Sequence, residues 1–128
     1  ADEALAIARD TQARKNIARS CKLRGEALRA AGEIERARPA LCHALSIGVK
    51  LKSPALTWPC KLSLAQLEDD AGDHEAARRH YFDAAEIVHN IANRLTDPDL
   101  YTRFLAAQPV QTVLHRAVCP IQPQSHPE

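Results

Sequence analysis

The stretch GDHEAARRHYFDAA (residues 72–85) matches GEIERARPALCHAL (residues 32–45) once their first glycines are superposed. The superposition aligns two pairs of alanines and, between them, one pair of large residues: Ala37 with Ala77, Ala44 with Ala84, and Leu41 with Tyr81. Alanine lets two helices approach closely, and a large side chain fills the space beside the contact. This order, recurring after forty residues, predicts stacked helix hairpins, because one hairpin alone cannot bury its apolar face.

The composition of the whole chain favours the same architecture. Its 128 residues are 45% hydrophobic but only 4% aromatic, and glycine occurs four times. Alanine and leucine favour helices, whereas aromatic and β-branched residues favour strands. We therefore predict an all-α fold of α-α hairpin repeats, with two recognisable repeats and additional terminal helices.

Glycine and proline mark where the predicted helices end and begin. Gly32 and Gly72 follow helical apolar stripes and suit the left-handed conformation that is common at helix C-termini. Two other sites combine a capping side chain with a proline at the first helical position: Ser53-Pro54 and Asp97-Pro98. These signals predict two hairpins and two further helices: about residues 14–51, 54–95, 98–106 and 109–117.

The predicted repeat domain covers residues 1–118, and residues 119–128 form a Pro- and Gln-rich tail that we expect to be disordered. Two irregularities are expected inside the domain. A short break precedes the first hairpin at residues 11–13. Pro59 removes a helical hydrogen bond and predicts a kink, unless the third helix instead begins afresh with Thr57 as its cap.

The recurring positions resemble the tetratricopeptide-repeat (TPR) family. Each copy matches the family's small residue in the first helix, its turn glycine and the small–large–small order of its second helix: Gly25, Gly32, Ala37, Leu41 and Ala44 in the first copy, and Ala65, Gly72, Ala77, Tyr81 and Ala84 in the second. The family's unit is about 34 residues, so a spacing of forty indicates longer helices. The resemblance covers about residues 11–116 and implies a TPR-like superhelix that serves as a non-enzymatic scaffold for a protein or peptide ligand.

Three further stretches resemble one branch of such proteins: RKNIARSCKLRGEAL (residues 14–28), SPALTW (53–58) and DPDLYTRFL (97–105). They look like the C-terminal repeat region of large bacterial regulators, in which a repeat array is coupled to an ATPase and sometimes to a cyclase or a DNA-binding module. The resemblance therefore implies a role in bacterial signalling or transcription control, with other domains of the same protein as candidate partners.

In TPR arrays the first helix of each hairpin lines a concave groove, so the resemblance also implies binding positions. They are Arg19, Lys22, Glu26 and Arg29 in the first repeat, and Leu62, Gln66 and Asp69 in the second. Trp58 stands at the entry of the second of these helices, where an exposed tryptophan beside basic residues suits a peptide as a hot spot. The alternative is that Trp58 packs against the preceding helix near Lys50 or Leu51.

The reactive residues do not form a recognisable enzyme or cofactor motif. The four cysteines, at positions 21, 42, 60 and 119, include no Cys-x-x-Cys pair, and we expect them to be buried free thiols. Metalloprotease, phosphate-loop and nucleophile-elbow motifs do not occur in the sequence. The acidic residues 68–70, with Asp73 and His74, could hold a hard cation weakly, but we prefer to interpret them as a solvated corner. We therefore predict no enzymatic activity, no cofactor and no metal.

Charge and hydropathy limit the remaining partners. The net charge is +1, which disfavours general nucleic-acid binding, although the excess of five basic residues in residues 1–52 leaves phosphate contact as an alternative. The sequence has neither an apolar run of about 20 residues nor the basic start of a signal peptide, so we expect a cytoplasmic protein without a membrane partner. Self-association is a further alternative, because two hairpins fall short of the roughly three repeats that sustain a solenoid.

Overall fold

The computed structural model of the chain describes residues 2–118. About 90% of the described residues are helical, and they form six helices and no strand. The helices are α1 (Asp2–Ala30), α2 (Ile34–Lys50), α3 (Pro54–Ala71), α4 (His74–Arg94), α5 (Pro98–Ala106) and α6 (Gln108–Val118). The predicted all-α fold of helix hairpins is confirmed. The prediction of a disordered tail lies outside the described residues.

Two hairpins, α1–α2 and α3–α4, end their first helices in the same way. Gly32 and Gly72 have φ angles of 83° and 88°, in the left-handed region that glycine occupies at little cost. At the second turn the N–H groups of Gly72 and Asp73 donate to the carbonyl groups of Asp69 and Glu68 at 3.1 and 2.9 Å. These bonds satisfy carbonyl groups that the end of a helix otherwise leaves unpaired.

Capping side chains begin three of the later helices. Ser53 Oγ accepts from the Leu56 N–H group, and the carboxylates of Asp73 and Asp97 accept from N–H groups in the first turns of α4 and α5. The side-chain acceptor satisfies a donor that has no partner within the helix. The capping signals predicted at Ser53 and Asp97 are therefore those that the chain uses, and Asp73 caps α4 in the same way.

The small and large residues of the recurring pattern lie at the helix contacts. A Cβ atom built on Gly25 would stand 2.6 Å from Leu41 Cγ, so α1 and α2 approach too closely there for any side chain. All the other pattern residues inside helices are buried: Ala37, Leu41, Ala44, Ala65, Ala77, Tyr81 and Ala84. The sequence match thus corresponds to equivalent packing positions in the two hairpins.

The two terminal helices cover the second hairpin. Val110 and Val113 of α6 are fully buried in one cluster with Trp58, Tyr81 and Val88, and Phe104 of α5 packs against the same cluster. A smaller cluster joins α2 to α3. Because α6 reaches both α3 and α4, it closes one end of the helix stack.

Three local expectations were wrong. α1 continues through residues 11–13 without a break. Of the two predicted starts of α3, the chain uses the one capped by Ser53, and Pro59 lies inside the helix. Thr57 Oγ1 instead donates to the Ser53 carbonyl at 2.7 Å. Trp58 is not the exposed side chain of the hot-spot hypothesis: it is 9% exposed and packs against α5 and α6 rather than near Lys50 or Leu51. Cys42 is exposed and Cys21 half-buried, so of the described thiols only Cys60 is buried as expected.

Replacing Ala77 by leucine should destabilise the fold. Ala77 is 1% exposed and contacts the core of the second hairpin, so a larger side chain must displace its neighbours. We expect the free energy of unfolding in urea to fall by about 1–3 kcal/mol. Ala27 is an exposed alanine on α1, and Ala27→Leu should change the same quantity by less than about 0.5 kcal/mol. Equal effects of the two substitutions would contradict the placement of Ala77 at the helix contact.

Candidate binding groove

A groove runs between α1 and α3, and α6 forms a third wall at one end. Its main cavity has a volume of about 440 Å³. α1 contributes Lys22 and Glu26 to its lining, and α6 contributes Gln108, Pro109 and Thr112. The residues from α3 are Trp58, Pro59, Leu62, Ser63 and Gln66. A second cavity of about 200 Å³ shares Lys22 and Pro59 with the first and extends toward Arg19 and Ala55. We call the two cavities together the α1–α3 groove.

Helical spacing explains why these residues share the groove. Pro59, Leu62 and Gln66 on α3 are separated by three and four positions, so they lie on one face of that helix. Lys22 and Glu26 on α1 are four positions apart and are likewise neighbours. α1 and α3 are the first helices of their hairpins and run in the same direction. The face of α1 with Lys22 and Glu26 therefore stands beside the face of α3 with Pro59, Leu62 and Gln66.

A hydrogen-bond network joins the two long walls of the groove. Glu26 Oε2 accepts from Lys22 Nζ at 2.7 Å and from Ser63 Oγ at 2.6 Å. Burial by itself would raise the pKa of Glu26, but these hydrogen bonds and the charges of Lys22 and Arg29 hold it below its ordinary value. An ammonium group has three donors, so Lys22 can hold Glu26 and still bind an acceptor in the groove.

Apolar side chains form the floor. Trp58 is 9% exposed and Leu62 is 8% exposed, so most of each side chain belongs to the core while the remainder lines the groove. The Trp58 ring meets the Phe104 ring edge to face, with centroids 6.4 Å apart and an interplanar angle of 89°. Phe104 does not line the groove, so this contact holds the indole in one orientation from its core side.

The structure brings together six of the eight predicted binding residues. Those on the groove are Arg19, Lys22, Glu26, Trp58, Leu62 and Gln66. The other two form ion pairs between helices instead. Arg29 Nε donates to Asp70 Oδ2 at 2.7 Å, and Asp69 Oδ2 accepts from Arg116 Nη2 at 2.6 Å. These contacts lie at the end of α3, so the predicted binding face is shorter than expected by one helical turn.

The last turn of α3 carries three consecutive carboxylates, and each pairs with a cation from a different helix. Glu68 pairs with Arg38 of α2, Asp69 with Arg116 of α6, and Asp70 with Arg29 of α1. Successive side chains on a helix point about 100° apart, so three neighbours can reach three surrounding helices. We call these three pairs the ion-pair node.

Two carboxylates of the ion-pair node make additional contacts. Arg38 donates Nε and Nη2 to the two oxygens of Glu68, both at 2.9 Å, and this holds the pKa of Glu68 below its ordinary value. Burial would raise the pKa of Asp69, but hydrogen bonds from His74, at 2.9 Å, and Arg116 outweigh it and lower the value. Carboxylates near a helix C-terminus oppose the helix dipole, and the three arginines offset that cost.

The preferred interpretation of residues 68–70 as a solvated acidic corner was therefore wrong for Glu68, which is buried, whereas Asp70 is exposed. Asp69 and Asp70 form ion pairs with α6 and α1. Within residues 2–118, no three His, Cys, Asp or Glu side chains are grouped closely enough to bind a metal ion. The sequence did not suggest the ion pairs, because their arginines lie between 30 and 47 positions away along the chain.

Arg116 also connects α6 to the recurring pattern. Its guanidinium carbon lies 4.5 Å from the centroid of the Tyr81 ring, a cation–π contact. Tyr81 is 1% exposed, and burial raises the pKa of its hydroxyl. One arginine thus contacts both a large residue of the repeat pattern and Asp69 of the ion-pair node, which fixes where α6 lies beside the groove.

Sequence reasoning missed several groove residues on α3 and all of those on α6. Pro59 precedes Leu62 by three positions, so the helical-face argument that selected Leu62 and Gln66 also selects Pro59. By contrast, Gln108, Pro109 and Thr112 lie on a helix more than forty residues further along. Nothing in their local sequence indicates that α6 packs beside α1 and α3.

Comparison with protein-family models, curated proteins and solved structures gave no match to this chain. None of the described helices combines the length and the apolar character needed to cross a membrane. Among the described cysteines, burial raises the pKa of the Cys60 thiol to about 11, so that group is protonated near neutral pH and a poor nucleophile.

The Glu68–Arg38 pair should make stability fall in acid. The folded-state pKa of Glu68 is depressed, so its contribution is complete above the ordinary value of 4.5 and is lost as the pH falls through the folded-state value. We expect Glu68→Gln to lower the free energy of unfolding near pH 7 by about 1–3 kcal/mol, because Arg38 loses its charged partner. The pH dependence of that free energy should also become shallower than in the wild type.

Urea unfolding at a series of pH values measures both effects. Glu86 is exposed on α4, and Glu86→Gln is the matched control, which should leave the stability near neutral pH almost unchanged. If Glu68→Gln left both the free energy of unfolding and its pH dependence as in the wild type, the Glu68–Arg38 pair would contribute nothing to stability.

Proposed function

We propose that this protein is a non-enzymatic protein-interaction scaffold of the TPR type, and that its α1–α3 groove binds an extended segment of a partner protein. The observation that carries the proposal is the position of five residues selected on the TPR resemblance, together with Trp58, along the α1–α3 groove. The groove lies between the first helices of two hairpins, which is where the resemblance implies a ligand. Other domains of the same protein are included among the candidate partners.

The lining chemistry supports a peptide as the ligand. Trp58, Leu62 and Pro59 offer an apolar floor, and Gln66 of α3 and Gln108 of α6 bring side-chain amides to the lining. Amides both donate and accept hydrogen bonds, so they match the exposed N–H and C=O groups of an extended backbone. A mostly apolar surface with a few placed polar groups is typical of ligand sites.

The charges of the groove favour an acidic segment. Arg19 and Lys22 stand on the α1 wall, and the nearby Glu26 is already engaged by Lys22 and Ser63. A carboxylate of the ligand would therefore meet Arg19, which is hydrogen-bonded to the neutral amide of Asn16, and the remaining donors of Lys22, whose charge is already balanced by Glu26. We propose a segment in which one or two acidic residues flank an apolar side chain that rests on Trp58.

A nucleic-acid ligand has less support. Between residues 14 and 29 the chain carries six basic side chains and one acid. Three of the six are ion-paired within the protein: Arg14 with Asp10, Lys22 with Glu26, and Arg29 with Asp70. Binding to phosphates gains affinity mainly from charges that are free to replace counterions, and internal pairing reduces that gain.

The proposal is tested with three pools of peptides about 12 residues long that share the same apolar content and differ in net charge: acidic, neutral and basic. The chain has one tryptophan, and it lines the groove, so Trp58 fluorescence reports occupancy directly when the peptides lack tryptophan. We expect the acidic pool to bind with a Kd in the micromolar range and the basic pool at least about tenfold more weakly.

Arg19→Glu should weaken binding of the acidic pool about fivefold to tenfold, because it removes attraction and adds repulsion at the rim. Arg19 is exposed and donates a hydrogen bond to Asn16 within the same helix, so the fold should tolerate the change. Lys50 is an exposed residue at the end of α2, outside the groove, and Lys50→Glu is the matched control. Equal loss in the two variants, or no binding of any pool to the wild type, would refute the proposed ligand site.

A further inference from the structure

Another cavity lies outside the α1–α3 groove, where the end of α2, the start of α3 and the end of α4 meet. Its volume is about 340 Å³, at the lower end of the range for small-molecule sites. α2, the α2–α3 turn and α3 line it with Gly48, Val49, Lys52, Ser53, Pro54 and Thr57. It shares no lining residue with the α1–α3 groove. We call this cavity the turn pocket.

One face of α4 forms the remaining wall of the turn pocket. It presents four residues at helical spacing: Ile87, Asn90, Ile91 and Arg94. The two isoleucines are partly buried against the core, and Val49 of α2 is 57% exposed although it lines the pocket. The pocket therefore offers apolar surface that the protein itself leaves partly open to solvent.

The long polar side chains of the turn pocket carry one sign of charge and have no partners. Lys52 and Arg94 are cations, and Asn90 brings a side-chain amide. Among residues 2–118 the lining includes no acid, and none of these three side chains forms an ion pair or a side-chain hydrogen bond. Two unpaired cations beside open apolar surface suit a ligand that combines an anionic group with an apolar body.

The backbone of Lys52 adopts a conformation that lysine rarely takes. Its φ angle is 53°, and it is the one residue other than glycine with a positive φ in the described chain. The same turn occurs at Gly32, Lys52 and Gly72: the N–H group of that residue donates three positions back, and the next N–H group donates five positions back.

Glycine fills this position at two of the three turns, whereas lysine there carries a conformational cost. Backbone strain of this kind clusters at ligand sites, and the Lys52 side chain lines the turn pocket. The strained lysine is thus a second indication of a ligand, independent of the shape and charge of the cavity.

We propose that the turn pocket binds a small organic carboxylate with an apolar chain of about six to ten carbons, a size that matches the modest volume of the cavity. The carboxylate meets Lys52 and Arg94, with the Asn90 amide as a further donor, and the apolar chain lies against Val49 and the two isoleucines. A carboxylate has two acceptor oxygens, so it binds both cations at once. Because the site is separate from the α1–α3 groove, it does not depend on the proposed peptide ligand.

Octanoate is the probe, added to the full chain while two-dimensional NMR of the backbone N–H groups measures affinity and location together. We expect saturable shifts at Lys52, Ser53 and Asn90, with a Kd of about 0.1–1 mM for a ligand of this size. Octanamide has the chain without the charge, and acetate has the charge without the chain, so each should bind at least about tenfold more weakly. Equal affinity for octanoate and octanamide, or the absence of saturable shifts at the turn pocket, would overturn the proposal.

Lys52→Gly separates ligand binding from folding. Glycine occupies the left-handed conformation at little cost, so the variant should resist urea at least as well as the wild type. The same change removes one cation and should weaken octanoate binding about fivefold to tenfold. Lys50 is exposed and lies outside the pocket lining, so Lys50→Gln is the matched control and should change binding less than about twofold. Unchanged binding in Lys52→Gly, or equal loss in the two variants, would contradict the assigned site.

Arg19→Glu distinguishes the turn pocket from the α1–α3 groove. This variant alters the proposed peptide site but no residue of the turn pocket, so octanoate binding should stay within about twofold of the wild type. Octanoate binding that weakens in Arg19→Glu as much as in Lys52→Gly would place the carboxylate in the groove and refute the turn pocket as its site.

Discussion

The close approach of α1 and α2 at Gly25 is the constraint on which the arrangement of helices depends. A Cβ atom there would collide with Leu41, so the helix separation is set by the absence of a side chain on one helix and the presence of a large one on the other. The second hairpin uses the same device with Ala65 and Tyr81, both fully buried. With both hairpins held this tightly, α1 and α3 stand side by side with a groove between them.

The groove owes its polar character to residues that also hold the helices together. Glu26 is hydrogen-bonded across the groove to Ser63, and Arg116 fixes α6 by contacting Tyr81 and Asp69. The walls are therefore rigid before any ligand arrives, and a bound segment would lose little affinity to ordering of the protein. A preformed groove with a tryptophan floor is consistent with a scaffold that recognises one class of short segment.

Much of the fold could be predicted because its signals are local. The turn glycines, the capping residues before Pro54 and Pro98 and the small–large–small pattern each act within one or two helical turns. The prediction of a break at residues 11–13 was wrong because Gln and Ala favour a helix, and a single Thr disfavours it only slightly when both flanks are helical. The position of α6, the burial of Trp58 beneath it and the partners of residues 68–70 depend on contacts between distant helices. Periodicity along one helix carries no information about them.

The ion-pair node also has a consequence for how the chain unfolds. Repeat proteins usually unfold in parts, because each unit contacts only its neighbours and the terminal units open first. Here one turn of α3 binds the last turn of α1, the adjacent α2 and the last turn of α6. Opening α1 or α6 leaves one carboxylate of this turn without its arginine. The ion-pair node therefore couples the first and last described helices through a single turn of α3, which favours their release together over release in sequence.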